Sequence, residues 1–387
     1  MKRMRALGRL CMHVALLAAV GAGAAAASDL VSITRSRFPE RMWTPLTAAD
    51  AALVGAGRAA DPASGWSVNP ALLGLESHDR LRLTGVLLDP QRSDVKANTR
   101  EYSDTSPLVA FGEAGAALSR GAMAYGLYVT QDAYDQAHES FLDTAFAATQ
   151  PPITRDNEFT SSLARAGLAA AYRRGRVSLG AAFELSRPHE RFQTVPSAES
   201  QANPPFPQPE EVRLDGLAVG GALGVVAAPY PWLSVGAAAR AAGGTDLETE
   251  DGDKSGHDEV PFSADLGVHV GRSAGGNLHL SAGYVGPRDV TLGDTLGRGD
   301  ERQPERVRLA AGYAYASPIL PWEFRVGLGW SPYPGDGAAR CSSFGIGLGY
   351  KLEGSVVRIS YARESRQTPQ DDVSARAFLA IGLDVRF

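Results

Sequence analysis

Charged side chains at alternate positions of apolar segments are the residues of this sequence best placed to do chemistry. An arginine held away from bulk water can bind a carboxylate through paired hydrogen bonds. The alternative for any one arginine is an ion pair with a carboxylate of the protein itself. The arginines with this placement are Arg240, Arg308, Arg325, Arg358, Arg376 and Arg386, and the carboxylates are Glu184, Asp265, Glu323 and Asp384.

Two histidines form a second candidate site. His269 and His279 flank the short turn at 273–276, so a tight hairpin would make them cross-strand neighbours. Paired imidazoles can bind a metal or carry a proton, but two of them without a third ligand favour a polar wall pair. We therefore expect no metal site and no cofactor.

Strands must position these side chains, because the sequence repeats with a period of two. In segment 374–387, Leu379 and Ile381 share one face, while Asp384 and Arg386 share the other. One face suits lipid and the other suits water. Since a charge on the lipid face costs about 2–4 kcal/mol at mid-membrane, the charged residues are expected to point inward.

The alternating segments number about 14, which predicts an all-β protein, a 14-stranded antiparallel transmembrane barrel. Short turns and long polar stretches alternate between the segments, and the long stretches include 132–158, 188–210 and 247–260. The strands are expected near 81–89, 107–118, 121–131, 159–173, 176–187, 211–228, 232–246, 261–271, 277–291, 305–316, 322–332, 340–352, 355–364 and 374–387.

The N-terminus predicts export. Lys2 and Arg3 precede an apolar run at 14–20 and a small-residue stretch ending at Ala27, which is typical of a cleaved signal peptide over 1–27. The formal net charge of -5 argues against nucleic-acid binding. The mean hydropathy of -0.15 is compatible with a barrel, since its two faces cancel.

The last strand carries a further signal. A final two-faced strand that ends in Phe387 resembles the signal by which outer-membrane proteins are recognised by their assembly machinery. We therefore expect the protein in the outer membrane, in contact with outer-membrane lipids and lipopolysaccharide. Trp232 and Trp322 follow short turns, whereas Trp330, Tyr333 and Tyr361 lie toward long loops, so they are candidate aromatic girdles.

Residues 28–77 lack the period of two and precede the barrel at 78–387. A Gly- and Ala-rich stretch that contains Gly55 and Gly57 leads to Asn69-Pro70-Ala71. This region resembles the N-terminal segment of the FadL/TodX family of outer-membrane transporters, including the PorV-like barrels. The resemblance implies a 14-stranded barrel with an internal hatch, although this chain has Leu72 where the family commonly has Gly.

Glycines on the inward face offer physical support for a hatch. A position without a side chain lets another backbone approach closely, although glycine also helps strands to bend and twist. The inward glycines are Gly327, Gly329, Gly345, Gly347 and Gly349.

Three functions remain open at this point. The resemblance implies passive uptake of hydrophobic molecules, such as long-chain fatty acids or aromatic hydrocarbons, with the lumenal arginines and histidines as possible substrate-binding residues. A PorV-like barrel would instead be a partner in protein secretion or surface attachment. We expect no enzyme, because no nucleophile motif accompanies the histidines.

Overall fold

The computed structural model describes residues 46–91, 108–143, 153–196, 210–249, 255–271, 275–292, 301–303, 305–332, 340–367 and 373–387. The predicted signal peptide at 1–27, and residues 28–45 of the predicted hatch, lie outside the described residues.

The described residues form one antiparallel sheet that closes into a barrel of 14 strands, as the alternating pattern predicts. Five of the strands consist of two segments each. The strands are β1 Arg80–Gln91, β2 Leu108–Arg120, β3 Met123–Asp143, β4 Ile153–Arg174, β5 Val177–Pro196, β6 Glu210–Asp215 with Ala218–Tyr230, β7 Leu233–Ala242 with Gly244–Glu248, β8 Ser255–Glu259 with Ser263–Gly271, β9 Gly275–Val285 with Arg288–Leu292, β10 Glu301–Gln303 with Arg306–Ala316, β11 Trp322–Pro332, β12 Arg340–Leu352, β13 Ser355–Gln367 and β14 Val373–Arg386.

The barrel closes where β1 pairs with β14. The register runs from Arg80 opposite Arg386 to Gln91 opposite Ala375, over the full length of β1. Closure gives each of the described strands two neighbours, so these strands leave no sheet edge with unpaired amides in lipid.

Strands β3, β4 and β5 are longer than the sequence pattern predicts. They have 21, 22 and 20 residues, and they include residues 132–143, 153–158 and 188–196, which the sequence pattern predicts to be loops. The period of two is absent from the sequence there, because a strand needs a lipid face only inside the membrane. Cross-strand pairing continues without it.

The outer surface is a continuous apolar belt. The large apolar side chains there are exposed, such as Leu168 at 62%, Leu223 at 67% and Leu328 at 63%. A soluble monomer rarely exposes so much apolar surface, so this belt fits the hydrocarbon of a membrane. In the described part of the chain, no helix is long and apolar enough to cross a membrane.

Aromatic side chains ring the short-turn end of the belt. Tyr230 stacks on Trp232 with ring centroids 5.2 Å apart, and Trp322 meets Tyr350 edge to face at 4.8 Å. All four are exposed outward, as expected of a girdle at a membrane interface. Tyr333, predicted in the opposite girdle, lies outside the described residues.

Residues 46–77, called the plug below, lie inside the barrel. The plug contains the helix α1, Ala48–Leu53, and two 3-10 helices, Pro62–Ser64 and Pro70–Leu75. Each begins with a side-chain cap, from Thr47, Asp61 and Asn69 respectively. Helices this short are unstable alone, so the surrounding wall holds them in place.

Candidate functional site

The first apolar end of the plug is α1. Ala48, Ala51, Leu53 and Val54 pack in one buried cluster with Phe378 of β14 and with wall residues of β1, β10 and β13. The wall has no side chain where α1 passes closest. A Cβ at position 327 or 345 would collide with the backbone of Leu53 or Ala51 respectively.

Of the other predicted wall glycines, Gly347 faces Ala52 of the plug, whereas Gly349 gives room to the wall residue Glu323 and Gly329 to Ser343. Glycine thus serves the plug at some of these positions and a neighbouring wall side chain at others.

The second apolar end of the plug is the 3-10 helix Pro70–Leu75. Trp66, Ala71, Leu72 and Leu73 form a buried cluster with wall residues of β2 to β6, among them Tyr128. These four plug residues are fully buried. The two ends of the plug therefore have separate hydrophobic contacts with different arcs of the wall.

The Asn69-Pro70-Ala71 motif fixes this second end. The Asn69 side chain accepts a hydrogen bond from the Ala71 amide at 3.0 Å and donates to the Ala59 carbonyl at 2.7 Å and the Val225 carbonyl at 3.4 Å. Asn69 caps the helix, joins two parts of the plug and ties both to β6. Pro70 supplies the fixed φ of a first helical residue.

The middle of the plug, residues 55–65, called the central segment below, is held mainly by polar contacts, although its Ala56 belongs to the first apolar cluster. The wall hydroxyl of Ser281 donates to the Gly55 carbonyl at 3.0 Å, and Ser234 donates to the Ala60 carbonyl at 3.3 Å. The Arg82 guanidinium donates to the Pro62 carbonyl at 2.7 Å. Wall side chains thereby bond carbonyls in the irregular part of the plug, and at Gly55 the Ser281 hydroxyl adds to the bond that the Arg58 amide donates at 3.3 Å.

Asp61 is the charged contact between the central segment and the wall. Its carboxylate accepts a hydrogen bond from Arg325 at 3.0 Å and one from the Ala63 amide at 3.0 Å. Arg325 also donates to Glu323 at 3.3 Å, and Glu323 is paired in turn with Arg358. Two strands, β11 and β13, therefore contribute to one buried ionic network that ends on the plug.

Two other predicted arginines also lie inside the barrel with carboxylates. Arg308 pairs with Asp265 at 3.2 Å and faces Gly55 of the plug. Arg240 pairs with Glu184 at 2.9 Å and donates to the Ser67 carbonyl. The side chain of Arg376 lies outside the described part of the structure, and Arg386 is exposed at the short-turn rim.

A second group of charges, absent from the sequence prediction, comes from β1 and β2. Arg80 and Arg82 both pair with Asp384 of β14, and Arg82 also pairs with Glu113 at 3.1 Å. Glu113 accepts a hydrogen bond from Ser67 of the plug at 2.5 Å. The alternation along β1 already places Arg80 and Arg82 on the inward face, and that signal was sufficient to find them.

The two candidate histidines are cross-strand partners, as their spacing about the turn predicts. Their rings stack at 4.7 Å. His269 contacts Ser234 and Asn277, at 3.4 and 3.3 Å. His279 is 2% exposed, and neither ring nitrogen has a hydrogen-bond partner among the described residues. Its Nδ1 lies 3.9 Å from the Asp61 carboxylate.

A cavity of about 600 Å³ lies at the short-turn end of the barrel, against the central segment. It is lined by residues 61–63 and 75–77 of the plug, by His78, by the histidine pair and by the turn between β12 and β13. In contrast, the apolar ends of the plug contribute no residue except Leu75.

The remaining predicted residues have structural contacts. Gly57 packs closely on Ser64 and Asp61 within the plug, next to His279. Phe387 follows β14, and its amide donates to the Asp79 carbonyl at 2.9 Å. Its role as an assembly signal remains a prediction.

Comparison with known proteins gives no match to any protein-family profile and no match to any curated protein sequence. Solved structures do match. A channel described as the CymD monoaromatic hydrocarbon channel is 15% identical, with a TM-score of 0.63 over 91% of this chain and 99% of that one.

Two further solved structures also match this chain. The Pseudomonas putida toluene transporter TodX is 14% identical, with a TM-score of 0.63 over 88% of this chain and 98% of that chain. A Pseudomonas aeruginosa FadL homologue is 16% identical, with a TM-score of 0.59 over 89% of this chain and 99% of that chain. This protein therefore has the fold of these channels, which agrees with the resemblance of its N-terminal region to the FadL/TodX family.

Proposed function

We propose that this protein is an outer-membrane channel for the passive uptake of hydrophobic molecules, of the size of aromatic hydrocarbons or fatty acids. The observation that carries the proposal is a closed barrel, apolar outside, whose bore is filled by its own N-terminal plug. The shared fold supports it, because two of the matching structures are described as a hydrocarbon channel and a toluene transporter.

The filled bore favours hydrophobic cargo over sugars and salts. Plug residues such as Leu53, Ala59, Trp66 and Leu72 have no solvent exposure, so the part of the bore that the plug occupies is not a water-filled path of the kind found in general porins. A molecule that partitions into apolar contacts can instead displace part of the plug, with its own burial as the driving force.

The test is a permeation assay in lipid vesicles that contain the purified protein. We expect toluene and oleate to enter these vesicles faster than vesicles without protein, while arabinose and sucrose enter both at the same slow rate. Sugar entry with no gain for toluene or oleate would identify a general porin and contradict the proposal. A protein that accelerates neither class, and that co-purifies with a secreted protein, would favour the secretion-partner role.

A further inference from the structure

The outer surface of β5 changes from apolar to basic within two residues. Phe183 and Leu185 are exposed members of the apolar belt. Because alternate residues of a strand share one face, the next outward positions toward the loops are Arg187, His189 and Arg191. The apolar track on this strand therefore ends at Leu185.

Strand β6 makes the same change beside β5. Toward the loops, the exposed Leu217 is followed on the outward face by Asp215, which lies opposite His189. Arg213 comes next, directly opposite Arg191. The four outward basic side chains on these two strands are called the basic arc below: Arg187, His189, Arg191 and Arg213.

The distance from the short turn places the basic arc at the outer edge of the lipid. Val177 is the first residue of β5, and Arg187 lies ten residues further along. This is about 33 Å along the strand and, at a tilt of about 40°, about 25 Å across the membrane. The apolar band of an outer-membrane barrel has this height, and its short turns face the periplasm. The arc therefore lies at the headgroups of the outer leaflet.

The basic arc contains more positive charge than the carboxylate beside it can balance. Asp215 accepts a hydrogen bond from Arg187 at 3.0 Å and lies 3.2 Å from His189 Nδ1. Arg191 and Arg213 add two further positive charges, directly opposite each other. Like charges in that arrangement are destabilising, so a bound anion would offset a cost that the wall itself creates.

Acidic side chains limit the basic arc on one side. Glu248 of β7 is the register partner of Asp215, and Asp246, on the same strand, has a side chain that is 81% exposed. These carboxylates repel an anion, whereas the arginines on β5 and β6 attract it. An anion is therefore directed to the surface between β5 and β6.

We propose that the basic arc binds a phosphate of lipopolysaccharide in the outer leaflet of the outer membrane. The planar guanidinium group fits phosphate because it donates two parallel hydrogen bonds to it. The phosphates of lipid A lie between its acyl chains and its sugars, at the height of the arc. The acyl chains then cover Leu185 and its exposed partner Val219. A soluble phosphate compound would leave these apolar side chains uncovered.

Titration of the detergent-solubilised protein with lipid A, followed by native mass spectrometry, tests the proposal. We expect Arg191→Gln with Arg213→Gln to weaken binding about tenfold, because two charged contacts with phosphate are lost. Arg173→Gln with Arg174→Gln is the matched control. It removes the same charge at exposed positions of the short-turn end, which the outer leaflet does not reach, and should leave binding unchanged.

A second variant keeps the test valid if the Arg191 and Arg213 double variant does not fold. Arg187→Gln changes a side chain that is 67% exposed, and we expect it to weaken lipid A binding about threefold. Unchanged binding of lipid A in the folded variants would overturn the inference.

Two other lipids separate lipopolysaccharide from other sources of phosphate. We expect the wild type to bind lipid A without its phosphates as weakly as the double variant binds lipid A. Binding of phosphatidylglycerol should not depend on Arg191 and Arg213. If phosphatidylglycerol and lipid A depend equally on these arginines, the arc takes any anionic lipid and the inference is wrong.

This inference rests on the outer-membrane location and not on the transport of hydrophobic molecules. Because the basic arc faces away from the bore, we expect Arg191→Gln with Arg213→Gln to take up toluene at the wild-type rate in phospholipid vesicles. Loss of uptake in this variant would place the two arginines in the transport path and contradict the inference. Loss of uptake in the wild type itself would concern only the proposed function.

Discussion

The two apolar ends of the plug and its central segment are held to the same wall by different physics. The ends bury Leu53, Val54, Leu72 and Leu73 completely in two hydrophobic clusters. The central segment is held by hydrogen bonds to backbone carbonyls and by the Asp61 ion pair. The free energy of a hydrophobic contact is lost in proportion to the apolar area that becomes exposed to water. A polar contact, by contrast, can be replaced by a hydrogen bond of similar strength to another group.

This difference indicates which part of the plug moves. Release of either end would expose several fully buried aliphatic side chains, each worth about 1.5–3 kcal/mol. The central segment can leave while water or a ligand takes over its hydrogen bonds. It also lies against the cavity at the short-turn end, so its displacement opens the bore toward that side while both ends stay in place.

Cross-linking the central segment should have the largest effect. A Cβ at position 267 would lie 3.3 Å from the Ala60 Cβ, a few tenths of an ångström shorter than the usual disulfide spacing. We expect oxidised Ala60→Cys with Gly267→Cys to lose uptake of toluene almost completely, and a reductant to restore it. The measurement is vesicle uptake before and after reduction.

A cross-link at an apolar end is the matched control. A Cβ at position 382 would lie 3.1 Å from the Ala48 Cβ, so Ala48→Cys with Gly382→Cys can be oxidised in the same way. We expect this variant to retain uptake, because α1 does not move. If it is blocked as strongly as the central cross-link, the whole plug moves and the comparison is wrong.

Truncation of an apolar end should lower stability more than any single polar change. Leu72 is 0% exposed in the second cluster, and Leu72→Ala is expected to cost about 2–5 kcal/mol of unfolding free energy. Urea unfolding in bilayers, followed by electrophoretic mobility, measures it. Ile319→Ala, at a turn residue that is 90% exposed, should change it by less than about 0.5 kcal/mol.

The sequence predicts the barrel better than the plug, for a physical reason. The period of two follows from one lipid face and one water face, so it identifies the number of strands and the inward placement of Arg240, Arg308, Arg325 and Arg358. The rule applies only where a strand has a lipid face, which is why the loop-side halves of β3 to β5 escaped it. Strand length there depends on cross-strand pairing, which a single segment does not reveal.

The plug contacts depend on residues far apart in the chain. Asn69 contacts Val225, and Asp61 contacts Arg325, at sequence separations that no local pattern encodes. Glu113 and Ser67 escaped prediction for the same reason. The Asn69-Pro70-Ala71 motif was recognisable only by its resemblance to a family, whereas its cap geometry explains why the residues have these types.

Substitutions of Asn69 measure how much a polar contact contributes to the stability of an apolar end of the plug. Asn69→Ala removes the cap on Ala71 and leaves the Ala59 carbonyl without its donor, so we expect a loss of about 1–2 kcal/mol in the urea assay. Asn69→Ser keeps an acceptor for the cap and should recover part of that loss. An equal loss in both variants would show that the donated bonds alone hold this end.

The smallest effect is expected at Asp79, a more exposed counterpart of Asp61. Asp79 accepts hydrogen bonds from Arg120 at 2.8 Å and from the Ser119 amide at 2.9 Å, the same pair of donors that Asp61 has. Its side chain is 31% exposed against 11% for Asp61. The Arg120 and Ser119 hydrogen bonds hold the pKa of Asp79 below its usual value.

A carboxylate with a lowered pKa in the folded state stabilises the fold above its unfolded pKa, and that contribution is lost as the pH falls through the folded pKa. We therefore expect Asp79→Asn to lower stability slightly at pH 7, where the contribution of the carboxylate is present, and to abolish the corresponding loss of stability that the wild type shows in acid, below about pH 4. Asp61→Asn should be the more destabilising variant at pH 7, because a buried contact is less screened by water. Urea midpoints of both variants at pH 7 and pH 3.5 give the comparison, and equal losses at pH 7 would show that burial of the central segment contributes nothing to the Asp61 contact.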